Sequence, residues 1–256
     1  MAQQLDHERL IVCQKSVSFV AWWAHLCDRL PRAVDASDHS TRACSGVVVT
    51  IAEGSGTRSL KSRCQLYDSA YGSSLECAAC LDILEALGLI TSDHVRDGKE
   101  QLVEIVSMLI GMRSDSEQRL LARESLEANG GYLSGERRQY FDHEELRVYR
   151  RSLDLVSWID DFVGAAVLQP AMRRDLDKLA TSVVLNIAEG NGKFASRDRC
   201  RFIGYSRNSA LRIAATLDVL HAREGLPPEP MREAKTVIAS VVRMLSAWEN
   251  SLRDDA

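Results

Sequence analysis

Ile51-Ala52-Glu53-Gly54 returns as Ile187-Ala188-Glu189-Gly190, an offset of 187 − 51 = 136 positions. The same offset carries Asp6-His7-Glu8 onto Asp142-His143-Glu144, Trp22 onto Trp158 and Arg63-Cys64 onto Arg199-Cys200. It also carries Leu81-Asp82 onto Leu217-Asp218 and Met108-Leu109 onto Met244-Leu245. About 30 identities align residues 6–113 with 142–249 without a gap, and self-similarity at a fixed period marks a repeated structural unit. The chain must therefore fold as one scaffold written twice, which sets expected boundaries: a first domain over 1–113, a polar linker over 114–140 that includes a short helix, and a second domain over 141–256.

Each copy reads as helix. Strand-type alternation is nearly absent, and four of the five prolines, Pro31, Pro170, Pro227, Pro228 and Pro230, fall where helices start or stop. Asp142 with Glu145 three residues on predicts a capping box opening the first helix of the second copy; Leu146, Tyr149, Leu153, Val156 and Ile159 supply its apolar stripe. In the first copy the stripe is Leu10, Cys13, Val17, Val20 and Trp23. The second helix runs into Ile-Ala-Glu-Gly, with Gly54 and Gly190 as expected left-handed C-caps. The third helix begins near Ser59 and Ser196. In the second copy it buries Phe202, Ile203, Ala210, Ile213, Ala214, Leu217 and Leu220, and turns Arg197, Arg201, Asn208 and Arg212 outward. Fourth helices over about 93–112 and 229–252 complete four helices per copy. The expected fold is all-α: two tandem up-down four-helix bundles.

Composition narrows the functional classes. No run of 18 or more apolar residues appears, so no membrane span is expected. The first residues lack a basic-then-apolar leader pattern, which points to the cytoplasm. Seven cysteines, six of them in the first copy, do not form a framework shared by both copies and read as buried thiols. Residues 1–136 hold 13 Lys+Arg and 19 Asp+Glu, 13 − 19 = −6; residues 137–256 hold 19 and 17, 19 − 17 = +2. An anionic partner should prefer the second copy.

Catalytic and metal signatures are weak. No phosphate loop, nucleophile elbow or His-Glu-x-x-His motif occurs. Cys77-x-x-Cys80 has no second ligand pair, and the matching positions in the second copy are Ile213 and Thr216, so packing is expected rather than metal. His7 and His143 read as surface or cap histidines. No catalytic residue, cofactor or metal is expected. Glu53 and Glu189 stand in the last turn of a helix, where the dipole disfavours a carboxylate. Arg63 and Arg199 are the expected ion-pair partners that close each turn.

The densest basic cluster is Arg197, Arg201 and Arg212 with Lys193 and Arg207. Arg173, Arg174 and Lys178 extend it, and Arg58 and Lys61 are its thinner first-copy counterpart. Phosphate contact is one reading of this cluster and a solvated helix face is the other. Trp22, Trp158 and Trp248 are expected as exposed apolar residues available for contacts between bundles or subunits.

Leu185-Asn186-Ile187-Ala188-Glu189-Gly190-Asn191-Gly192, a basic start to the next helix, and Ser209-x-Leu211 resemble the four-helix-bundle family of 23S rRNA intervening-sequence proteins. Leu146-x-Val148-Tyr149-x-x-Ser152-Leu153 fits the same pattern, and the accessory proteins of diversity-generating retroelements share that superfamily. The first copy departs from the motif, with Thr50 and Gly46 in place of Asn186 and Ser182. The resemblance implies a non-enzymatic, ring-forming homo-oligomer. For the retroelement branch it also implies association with RNA or DNA and with a reverse transcriptase through basic surfaces. The expected function is a self-assembling scaffold that contacts nucleic acid through the second bundle; the rival expectation is a protein–protein module without nucleic-acid affinity.

Overall fold

The computed structural model describes residues 6–30, 34–125, 141–165, 168–193, 195–224 and 228–254. Eight α-helices are seen: α1 (Ile11–Cys27), α2 (Asp35–Gly56), α3 (Leu60–Ala86), α4 (Ser92–Ser125), α5 (Arg147–Ala165), α6 (Pro170–Asn191), α7 (Ser196–Glu224) and α8 (Pro228–Asp254). No strand occurs among the described residues. The fold is all-α, four helices in each of two tandem repeats, and no described helix is long and apolar enough to cross a membrane. Pro170 and Pro228 each occupy the first helical position, where the missing N–H costs nothing.

Two compact units are present. The first comprises Met1–Arg29, Ser40–Ala78 and Arg96–Phe141. Polar contacts join each neighbouring pair of its four helices. Trp23 Nε1 donates to Thr41 Oγ1 at 3.1 Å (α1 to α2), the Cys44 and Cys77 sulfurs meet at 3.5 Å (α2 to α3), Arg113 pairs with Asp68 at 2.6 Å (α3 to α4), and Lys15 pairs with Glu104 (α1 to α4). Cys77 therefore packs on Cys44 of the facing helix, within an apolar interior. Of the expected α1 stripe, Cys13 and Trp23 are buried and Leu10 and Val20 half-buried, and Val17 alone departs from it. Val12, Cys13, Ser16, Phe19, Trp23 and Leu26 are buried, and Val17 is 52% exposed. Aromatic bulk at Phe19 and Trp23 fixes the inward face and turns Val17 out.

The second unit comprises Leu30–His39, Ala79–Val95 and Asp142–Ala256. In it α5 packs on α6 and α8, and α7 packs on α6 and α8, the closed cycle of an up-down bundle. Ile203, Ala210, Ile213, Leu217 and Leu220 are buried as the wheel predicts, whereas Phe202 and Ala214 are half-buried.

Four local expectations are corrected. Asp142 does not open α5: Asp142–Glu145 forms a 3-10 turn, closed by Leu146 N–H to the His143 carbonyl at 3.1 Å, and α5 starts at Arg147. This tighter turn carries His143 inward, so the histidine is fully buried rather than at the surface. The His7 side chain lies outside the described residues. Gly54 and Gly190 are not left-handed caps, since only Gly88 has a positive φ among the described glycines. Both stand inside helices because the next helix passes close. A Cβ on Gly54 would meet Cε1 of Tyr67 at 2.5 Å, and one on Gly190 would meet Cβ of Phe202 at 3.1 Å. Finally, the tryptophans are not exposed. Trp22 and Trp158 are half-buried and stack on Phe19 and Phe162 at 5.6 and 5.1 Å, and Trp248 is also half-buried.

The segment after residue 113 continues α4 without a break to Ser125, and residues 126–140 of the expected linker lie outside the described residues.

Candidate nucleic-acid interface

The α6–α7 turn sets the position of the basic cluster. Asn186 Nδ2 donates to the Ser182 carbonyl at 2.7 Å and to Ser182 Oγ at 3.0 Å, and Ser182 Oγ meets Ser209 Oγ of α7 at 2.9 Å. The motif asparagine thus locks the register of two helices through a serine pair. In the first repeat Thr50 Oγ1 turns back onto the Gly46 carbonyl at 2.7 Å.

The expected Glu53–Arg63 and Glu189–Arg199 pairs do not form. Arg63 donates to the Thr57 carbonyl from Nε at 3.1 Å and from Nη2 at 2.6 Å. Arg199 Nη2 donates to the Lys193 carbonyl at 2.8 Å, six residues back in both repeats. A turn carbonyl just past a helix end is an acceptor carrying the negative pole of the dipole, and it reaches the guanidinium before the glutamate does. Glu189 pairs instead with Lys193 at 2.9 Å, one turn along. Glu53 is exposed.

These contacts sort the expected basic residues. Lys193 is engaged by Glu189 and lies over the Phe202 ring, 4.8 Å from its centroid. Arg207 is ion-paired with the buried carboxylate of Glu249 on α8, so it braces two helices and leaves the set of surface contacts. Arg201 is exposed, 3.6 Å from Asp198 and 5.3 Å above the Phe202 ring. Arg197 and Arg212 on α7, Arg174 and Lys178 on α6, and Arg58 and Lys61 in the first repeat are exposed, and Arg173 is half-buried.

Arg197, Arg201, Tyr205, Asn208 and Arg212 recur at helical spacing along α7, and all five are exposed, Tyr205 at 50%. This row puts three guanidinium groups and one aromatic ring on a single helical face. The corresponding first-repeat residues are Lys61, Gln65, Ser69, Gly72 and Glu76, a row with one cation and one acid.

A second basic feature was not foreseen. Arg147, Arg150, Arg151, Asp154, Ser240 and Met244 line an open cleft of about 460 Å³ between α5 and α8. Arg150 Nε donates to the Glu144 carbonyl at 2.9 Å, and Arg151 pairs with Asp154 at 3.0 Å. The first-repeat positions are Ile11, Gln14, Lys15, Ser18, Glu104 and Met108, where Glu104 engages Lys15 across the helices. Ser240 replaces that acid in the second repeat. The signal was present in the sequence as the Arg147, Arg150, Arg151 spacing, but it gains meaning only when α8 is seen to supply no matching carboxylate.

The geometry suits contact with a phosphate backbone: guanidinium groups make charge-assisted bonds to phosphate, and an exposed ring offers a stacking face.

No curated protein and no solved structure matches the chain. The family model described as 23S rRNA-intervening sequence protein matches it twice, over residues 8–111 and 144–247. Each match spans one four-helix repeat, and together they cover most of the chain, which therefore belongs to the 23S rRNA-intervening sequence protein family as a tandem duplication of the family unit.

Proposed function

We propose that this protein is a non-enzymatic, self-assembling scaffold that holds RNA or duplex DNA along the basic face of its second repeat. The exposed row Arg197, Arg201, Tyr205, Asn208 and Arg212 carries this reading. Phosphate contacts release condensed counterions, so affinity should fall linearly on a log–log plot against salt. The test is anisotropy of labelled structured RNA and duplex DNA with nuclease-treated protein across a salt series. Binding that weakens steeply with salt, and is lost on Arg197→Glu with Arg201→Glu, is the expected result. Absence of binding at low salt would leave the rival reading, a protein–protein module, to which exposed Leu211 and Val219 on the same helix lend support.

Self-assembly is supported by an asymmetry between equivalent surfaces. Near the end of α3, Ala79 and Ile83 are fully buried in the second unit, where Tyr149 bonds to Asp82 and Ser157 Oγ donates to the Ala86 carbonyl at 2.9 Å. The α7 equivalents Ala215, Asp218 and Val219 are exposed, Val219 at 45%. On α1, Ile11 and Val17 are exposed at 63% and 52%, while Leu153, the α5 equivalent of Val17, is half-buried. The bare α7 face of one molecule and the bare α1 face of another are the two halves of the contact that α3 and α5 already make, an arrangement that adds copies head to tail. Light scattering should show oligomers in the parent protein and monomers in Val17→Glu and in Val219→Glu. An equimolar mixture of the two variants retains one good face of each kind and should stop at dimers. Oligomers unchanged by either substitution would reject this interface.

A further inference from the structure

Three side chains from two separated stretches of the second unit converge in its interior. Asp82 comes from the last turns of α3, and His143 and Glu144 are neighbours in the 3-10 turn before α5. One metal-ligating atom of each, an imidazole nitrogen and two carboxylate oxygens, lie within 4.8 Å of one another. His143 is fully buried, Asp82 nearly so and Glu144 half-buried. Tyr149 closes the cluster. Its hydroxyl donates to Asp82 Oδ2 at 2.7 Å, and its ring meets the His143 ring edge-on at 4.7 Å.

The lone pairs of two carboxylates and one imidazole lie close together at low solvent access, and this is a donor set that a divalent cation takes. Tyr149 adds no charge: burial first, and then the Asp82 carboxylate, hold its pKa well above the ordinary phenol value. It acts as a donor that occupies one Asp82 oxygen and orients the other, the outer-shell role usual around ligating carboxylates. One imidazole with two carboxylates suits a borderline divalent ion better than a soft one. Bonds of about 2.0–2.2 Å at tetrahedral angles place ligand atoms about 3.3–3.6 Å apart, so an inward movement of the side chains by about 1 Å completes the coordination.

We propose that Asp82, His143 and Glu144 bind a divalent transition-metal ion, zinc or manganese, that fastens the end of α3 to the start of α5. The internal repeat sets the stoichiometry. The counterpart of Asp82 is Asp218, exposed and ion-paired with Lys235, and the counterpart of Tyr149 is Cys13. Among the described residues the cluster occurs once within the chain, and one ion per chain is expected at it. This inference does not depend on nucleic-acid binding or on self-assembly.

The test uses the full chain freed of any affinity tag, stripped with chelator, and dialysed against Zn²⁺ or Mn²⁺. Metal content is read by mass spectrometry and the unfolding midpoint by scanning fluorimetry. One equivalent with a raised midpoint is expected for at least one of the two ions. Asp82→Asn and Glu144→Gln, each shown folded by circular dichroism, should lose the uptake and the shift. Tyr149→Phe should weaken affinity by about 10–100-fold, the size of a typical outer-shell effect. The manganese arm separates this site from zinc held adventitiously by thiols. Uptake below about 0.1 equivalent for both ions, or uptake undiminished in both folded variants, would overturn the proposal.

Discussion

Arg207 of α7 is ion-paired with Glu249 of α8, and the first repeat joins the same two helices with the charges reversed. There Arg113 of α4, the positional equivalent of Glu249, pairs with Asp68 of α3 at 2.6 Å and with Glu117 at 2.6 Å. Those two carboxylates raise the Arg113 pKa against the opposing effect of burial. The duplication has kept a brace between the third and fourth helices while exchanging the residue types that make it.

Removing one partner of such a brace leaves the other buried. Glu249 is 5% exposed, so Arg207→Ala should destabilise the protein by about 2–4 kcal/mol, below the cost for a fully buried pair because Arg207 keeps some solvent contact. Replacing both residues by methionine should cost much less, since no charge is stranded. Urea denaturation of Arg207→Met, Glu249→Met and the double variant measures the coupling, and losses that simply add would show that the brace contributes nothing.

Gly54 and Gly190 are expected to resist substitution in a way that ordinary helix glycines do not. An unconstrained Gly→Ala change inside a helix stabilises by about 0.5–1 kcal/mol. Gly204 and Gly111 have no heavy atom within 4 Å of an added Cβ and should gain that amount. Gly190→Ala instead pushes on Phe202 Cβ, which is fixed by the α7 backbone, and Gly54→Ala pushes on the buried Tyr67 ring. Both should lose about 1–3 kcal/mol, as overpacking does. Thermal midpoints of the four variants decide this, and a stabilised Gly190→Ala would refute the close approach.

The same glycines show where the sequence stops being readable. Their recurrence at the 136-residue offset located the end of the second helix in both repeats, and the helix count followed from apolar spacing. Their mechanism did not follow, because a cap is a local property and a close approach depends on the next helix. Arg63 and Arg199 were correctly tied to the turn, but their partner is a backbone carbonyl, which carries no residue code. His143 looked like a surface residue while the turn before α5 was read as α-helix, since the 3-10 geometry is what rotates it inward. Of the basic cluster, α7 spacing identified the exposed Arg197, Arg201 and Arg212, whereas the engagement of Arg207 depends on a residue 42 positions away.

Alkaline pH should expose the buried phenols. Burial raises the Tyr67 pKa, with Arg63 opposing and Asp115 reinforcing the shift. A group whose folded pKa is raised favours folding while it stays protonated. That contribution is complete below the unfolded tyrosine pKa of about 10 and is lost as pH rises from there through the folded value. Tyr67→Phe cannot ionise. Its stability at pH 7 should stay within about 1 kcal/mol of the parent, and its decline above about pH 10 should be shallower. Denaturant melts at stepped pH give the slopes, and parallel slopes would mean that Tyr67 ionises as freely folded as unfolded.

The Arg147, Arg150 and Arg151 cleft offers a test built from the protein's own first repeat. Glu104 there engages Lys15 across α1 and α4, and Ser240 stands at the equivalent place on α8. Ser240→Glu recreates the carboxylate opposite Arg151 and should draw that guanidinium away from Asp154 and from any ligand. If the cleft contributes phosphate contacts, nucleic-acid affinity should fall, and the slope of log affinity against log salt should shrink by about one for each contact removed. The substitution faces solvent in an open cleft and adds an ion pair at a surface, so stability should change by less than about 1 kcal/mol. Glu104→Ser in the first repeat is the reciprocal variant. It frees Lys15 without creating an arginine cluster, and should change affinity far less. Equal effects of the two variants would mean that binding follows net charge alone, and the second repeat would hold no special place.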